Sequence, residues 1–175
     1  LRSHLMLVYT GISRTAADVA QSYVPELDSR RRQLRIMKDM VDEALDILVG
    51  GVNLIAFGEL LHEAWLAKRS LSPVVSNPEV DGLYASALEA GAVGGKLTGA
   101  GGGGFLLLFV PPERQPAVRD ALGGCIHVPF EFESGGSQII FYEPSTIHEE
   151  EEGESVRRRR AFKELTYPAK KEVAA

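Results

Sequence analysis

The stretch Gly95-Lys96-Leu97-Thr98-Gly99-Ala100-Gly101-Gly102-Gly103-Gly104-Phe105-Leu106-Leu107-Leu108-Phe109-Val110 places five glycines in the six positions 99–104, directly before an unbroken apolar run. Each glycine forfeits about 0.5–1 kcal/mol of backbone entropy relative to alanine, and turn geometry alone rarely needs so many. Val93 to Thr98 and Phe105 to Val110 read as two strands, and the glycines as the tip of the hairpin joining them. Bare backbone lets successive N–H groups converge on an anion and lets a phosphate or a second loop approach closely. The competing reading, a packed tip where two backbones touch, ranks below it. Gly99, Gly101 and Gly104 satisfy the letters of the dinucleotide fingerprint, but that motif opens a helix and these glycines open a strand. A P-loop needs its glycines before the Gly-Lys pair, whereas Gly95-Lys96 precedes them, and Leu97 stands at the hydroxyl position.

Outward from the hairpin, Asn77 followed by Pro78 predicts the start of a helix whose apolar positions are Val80, Leu83, Ala87 and Leu88, up to Gly91. Ser70 to Ser76 is a connector, preceded by a helix carrying Phe57, Leu61, Ala64 and Trp65 on one stripe and Glu59, Glu63 and Lys68 off it. Before that, Asp28 or Ser29 caps a long helix in which Leu34, Met37, Val41, Leu45 and Leu48 share a face, ended by Gly50-Gly51. Leu5 to Tyr9 reads as a buried strand closed by Thr10-Gly11, and Ser13 as the cap of a short helix stopping near Pro25. Downstream, Pro111-Pro112 ends the second hairpin strand, Glu113 to Leu122 is a short amphipathic helix, and Ile126 to Phe132 and Gln138 to Tyr142 are further strands. The order is that of a ferredoxin-like split βαβ fold of the α+β class, with extra helices in the first crossover.

This domain is expected over residues 1–143. Residues 144–175 read as a charged tail, disordered or loosely helical, with an acidic block at Glu149–Glu152 and a basic one at Arg157–Arg160. With 175 residues, 45% hydrophobic and 25% charged, the chain fits one globular domain. A net charge of −5 argues against a dedicated nucleic-acid binder. The single cysteine, Cys125, excludes an internal disulfide and has no zinc-binding cluster around it. The lone cysteine favours a reducing, cytoplasmic setting, and no apolar run approaches membrane-spanning length, so no membrane partner is expected. The strand-like start just after Leu1 suits a piece of a longer chain.

The run Lys96 to Phe105 resembles the third, glycine-rich motif of the GHMP kinases, and Val8-Tyr9-Thr10-Gly11-Ile12-Ser13-Arg14 resembles the strand and turn that open their C-terminal domain. Within that family, the span from Leu1 to about Tyr142 is most similar to the heptose 7-phosphate kinase branch. The agreement includes Gly58-Glu59-Leu60-Leu61-His62-Glu63-Ala64-Trp65, Ser76-Asn77-Pro78-Glu79 and Gly136-Ser137-Gln138-Ile139-Ile140-Phe141-Tyr142. The resemblance implies ATP-dependent transfer of a phosphoryl group to a sugar phosphate hydroxyl, most similar to transfer onto the anomeric hydroxyl of D-glycero-D-manno-heptose 7-phosphate. It also implies that an N-terminal kinase domain holds ATP and the Mg²⁺ ligands, so no catalytic and no metal residue is expected in this stretch, which alone should be inactive. Gly99, Ala100, Gly101, Gly102, Gly103 and Gly104 are then expected beside the ATP phosphates, and Thr10, Gly11, Ser13 and Arg14 beside the sugar, with Lys96 and Thr98 as further candidates. The charged tail departs from the family pattern.

Read from the residues, Arg14 fits two roles equally, a guanidinium for a substrate phosphate near a helix N-terminus or an exposed side chain. Lys96 can add positive field or simply face solvent. His62-Glu63 lacks the second histidine of a zinc-protease helix, with Leu66 in its place, and is expected to be an exposed pair. Because the fold hosts many functions, a non-catalytic ferredoxin-like ligand-binding or regulatory module is the alternative. The coding sequence upstream of Leu1 discriminates the two.

Overall fold

Alternation of half-buried and buried side chains along Leu5–Tyr9 marks strand β1 of the computed structural model, which describes residues 1–13, 16–51 and 53–140. The chain divides into two compact units, Leu1–Phe132 and Glu133–Ala175. In the first, β1 is followed by helices α1 (Ala16–Gln21), α2 (Arg31–Gly50), α3 (Leu54–Arg69) and α4 (Pro78–Glu89). The hairpin β2 (Gly94–Leu97) and β3 (Phe105–Phe109), helix α5 (Gln115–Ala121) and strand β4 (Ile126–Val128) complete it.

The four strands form one sheet in the order β2-β3-β1-β4, every neighbouring pair antiparallel. This is the ferredoxin-like arrangement expected from the element order, an α+β fold. Leu97, Leu106, Val8 and His127 lie in register as one row. The first three are almost fully buried and meet Val80, Tyr84 and Ala87 of α4, Val118 of α5 and Leu122 beyond it in the core. Trp65 of α3 is completely enclosed, edge-on to Tyr84.

Helix α3 meets β2 through glycine. A Cβ at Gly94 would fall 2.0 Å from the Gly58 carbonyl oxygen, and one at Gly58 would fall 2.6 Å from the Phe109 ring. Asn77 caps α4 as expected: its Oδ1 accepts the Val80 N–H at 2.9 Å, and Pro78 follows where a missing N–H costs nothing. Gly51 ends α2 in the left-handed conformation, φ 66°.

Four expectations are corrected. Neither Asp28 nor Ser29 caps α2; Arg30 occupies that position without a side-chain cap, and Asp28 instead accepts from the Arg31 guanidinium at 2.8 Å. The side of α2 that is half-buried is Gln33, Met37, Met40, Ala44 and Ile47, whereas Leu34, Val41, Leu45 and Leu48 remain exposed. His62 is half-buried rather than exposed, its Nδ1 2.7 Å from the Tyr84 hydroxyl, whose pKa burial pushes up to about 12. Strand β4 stops at Val128 because Pro129 has no N–H for the ladder, and residues 138–140 of the expected last strand are irregular, with Ile139 and Ile140 exposed. The rest of that strand, Phe141 and Tyr142, and the tail expected over 144–175 lie outside the described residues. In the described part of the second unit, Glu133 accepts the Gly135 N–H at 2.6 Å.

Candidate functional site

The glycine run is a wedge held from two sides. On one side, the Thr10 N–H and hydroxyl both donate to the Gly104 carbonyl at 2.9 Å, and the Gly104 N–H donates to the Ile12 carbonyl at 2.8 Å. On the other, the Gly102 N–H donates to the Val75 carbonyl at 2.8 Å, and Asn77 Nδ2 donates to the Gly102 carbonyl at 2.9 Å. The hairpin neck is closed by Thr98, whose N–H and hydroxyl both donate to the Phe105 carbonyl, at 2.8 and 3.0 Å.

The glycines divide by physical need. Gly99, Gly101, Gly102 and Gly104 take positive φ values of 71°, 122°, 76° and 94°, which L side chains rarely adopt. At Gly103 a Cβ would meet the Ile12 carbonyl oxygen at 2.6 Å, and at Gly101 the Val75 carbonyl oxygen at the same distance. Close backbone packing, ranked second on sequence grounds, is therefore present. Among the described residues, the N–H groups of Gly99, Ala100, Gly101 and Gly103 have no acceptor. Four amides on one short loop are left without a partner within the domain, Gly99 and Ala100 on its more exposed part and Gly101 and Gly103 buried, while those of Gly102 and Gly104 are spent on holding the loop.

Lys68, on α3, extends this loop and was not distinguished by the sequence. Its Nζ donates to the Leu97 carbonyl at 3.4 Å and to the Gly99 carbonyl. Burial first, and the like charge of Lys96 second, lower its pKa from 10.5 to about 8. Folded Lys68 therefore releases its proton before the unfolded chain does. Between about 8 and 10.5 the unfolded state binds more protons, so this residue makes stability rise with pH. Lys68→Met is expected to flatten that rise, and Lys96→Ser to move its lower edge to higher pH, both read from melting temperatures across the window. A slope unaltered by Lys68→Met would refute the linkage.

A cavity of about 790 Å³ opens beside Gly102, with Ser22, Arg69, Ser76, Asn77 and Asp81 on its wall. Asp81 accepts from Arg69 at 2.7 Å and from the Ser76 hydroxyl at 2.6 Å, and the Ser22 hydroxyl donates to that of Ser72. The Arg69 guanidinium also lies 6.0 Å from the centre of the Trp65 ring. This polar wall comes from α1, α3, α4 and the connector, so no short motif announces it. Thr10 borders the loop directly, Gly11 turns the chain at φ 78° and Ser13 is exposed. Arg14 lies outside the described residues. Lys96 lies in register with Leu107, one row away from the core-facing Leu97.

Residues 52–125 match the family model of the GHMP kinases C terminal. The chain carries a GHMP kinase C-terminal domain. The D-glycero-alpha-D-manno-heptose 7-phosphate kinase of Campylobacter jejuni is 29% identical over 124 residues, which are 70% of this chain and 36% of that protein. L-fucokinase/L-fucose-1-P guanylyltransferase of Bacteroides fragilis is 31% identical over 117 residues, 65% of this chain and 12% of that protein. The crystal structure of L. major mevalonate kinase with R-mevalonate superposes with a TM-score of 0.59 at 25% identity, covering 69% of this chain and 37% of that one. The GHMP kinase C-terminal domain described here thus spans about a third of the length of the first relative and about an eighth of the second. No helix among its described residues is long and apolar enough to cross a membrane.

Proposed function

We propose that this domain is the C-terminal half of an ATP-dependent sugar kinase that transfers the γ-phosphate to the anomeric hydroxyl of D-glycero-D-manno-heptose 7-phosphate. The observation that carries the reading is the wedged loop, with four unspent amides from Gly99 to Gly103 and two lysines, Lys68 and Lys96, close to it. Phosphoryl transfer asks little covalent chemistry of a protein and much positioning and charge stabilisation, which amide donors and ammonium groups provide. The loop would face the transferring phosphoryl group, and Thr10, Gly11, Ser13 and Arg14 would border the sugar, with Arg14 on its phosphate. Donors of this kind repel a cation, so the loop does not fit Mg²⁺. The heptose assignment rests on the Campylobacter relative and the motifs shared with its branch.

The chain alone is expected to give background ADP release with ATP and heptose 7-phosphate, and turnover once an N-terminal kinase half is restored. Robust turnover by the chain alone would overturn the division of roles. Turnover of the restored protein with L-fucose but not heptose 7-phosphate would move the substrate to that of the fucokinase relatives. Binding without turnover of any sugar would favour a regulatory module.

A further inference from the structure

Helix α2 has 20 residues and runs about 30 Å, yet none of its residues is buried. Beside the half-buried stripe packed on α3 it carries a second apolar stripe, Leu34, Val41, Leu45 and Leu48, exposed by 36%, 57%, 56% and 38%. Their spacings of seven, four and three residues keep them on one line along the helix, like the seam of a helix pair.

The charges of α2 are arranged against its own dipole. All four basic residues of α2, Arg31, Arg32, Arg35 and Lys38, precede its four acids, Asp39, Asp42, Glu43 and Asp46, with no acid in the first turn and no base in the last. An isolated helix is stabilised by the opposite order. We infer that the exposed face of α2 is a self-association surface, on which a second copy of this chain packs its own α2 antiparallel about a two-fold axis at Val41.

The register is self-complementary. Leu34 and Leu48 stand equally far from Val41 on either side, so antiparallel pairing sets Leu34 against Leu48 of the other copy and Val41 against Val41. At 3.6 residues per turn, Arg35, Lys38, Asp42 and Asp46 fall on one flank of the stripe. In a two-fold antiparallel pair equal flanks meet with their directions reversed, so the Arg35 and Lys38 end of one helix faces the Asp42 and Asp46 end of the other. Parallel pairing would lay the two basic N-terminal ends side by side and leave these flank charges without opposite partners, which disfavours it. The same surface patch then serves both partners, as a two-fold contact requires.

Sedimentation velocity on the natural full-length protein at micromolar concentration is expected to show a dimer. Val41→Asp should yield a monomer with unaltered circular dichroism and melting temperature, since Val41 is already exposed. Arg35→Glu with Lys38→Glu should weaken dimerisation at least about tenfold, and adding Asp42→Lys with Asp46→Lys should restore it. In a Cys125→Ser background, Val41→Cys should oxidise to a disulfide-linked dimer across the axis. A monomeric natural protein, as would result if another part of a longer chain covered α2, overturns the inference. So does a dimer indifferent to Val41→Asp, or charge reversal without rescue.

Discussion

Gly102→Val in the restored kinase is expected to lower kcat by roughly 10²–10³-fold, the scale of losing one donor to a transition-state anion. Gly102 has φ 76°, where a β-branched side chain is strongly disfavoured, and its two peptide groups are tied to Val75 and Asn77. Valine must turn that backbone back, which breaks these ties and shifts the neighbouring amides of Gly101 and Gly103. The strain itself should cost about 1–3 kcal/mol of stability. The core row of Leu97, Leu106 and Val8 lies on the strands, separated from the loop by the hairpin neck that Thr98 and Phe105 close, so the domain should stay folded at assay temperature. The measurement is kcat beside a melting curve for the same variant. Normal turnover would leave the loop as packing alone, and unfolding in step with lost activity would remove the case for a role in transfer.

Gly94→Ala is expected to be the most destabilising single methyl in the domain. The added carbon would meet the Gly58 carbonyl oxygen at 2.0 Å and the backbone nitrogen of His62 at 3.0 Å. Neither is the end of a flexible side chain, so α3 must lift from β2. Overpacking of this kind costs about 3 kcal/mol or more, which corresponds to a melting temperature lower by roughly 8–15 °C for a domain of this size. Gly82→Ala is the matched control. Gly82 lies on the exposed side of α4 with nothing within 4 Å of a new Cβ, and the change should stabilise by about 0.5–1 kcal/mol. Equal responses at the two positions would show that the contact of α3 with β2 is not tight.

The features legible in the sequence were those fixed by neighbours in the chain. Asn77-Pro78 announced a helix start, Gly51 a helix end and the glycine run a hairpin tip, because each is a local demand on backbone conformation. Strand order followed from the element order, since two helical crossovers and one hairpin leave few arrangements. The face of α2 was misjudged because the helix carries two adjacent apolar stripes, Leu34-Val41-Leu45-Leu48 and Met37-Met40-Ala44-Ile47, and periodicity cannot say which one meets α3. Lys68 escaped notice because its ties run to Leu97 and Gly99, far along the chain, while its own helix position looked like ordinary solvent-facing charge. The allotment of loop amides was equally hidden. Whether an N–H is spent on Val75 or left for a ligand depends on contacts between segments that sequence spacing does not measure.

Asn77 has a consequence for how the protein ages. Its Oδ1 caps α4 and its Nδ2 holds the Gly102 carbonyl, so aspartate would keep the first contact and lose the second. Spontaneous conversion of asparagine to aspartate normally begins when the backbone nitrogen of the next residue attacks the side-chain amide. Here the next residue is Pro78, whose nitrogen bears no hydrogen and cannot close that ring. The amide that secures the loop is thereby shielded from the commonest chemical decay of its kind for the whole lifetime of the molecule.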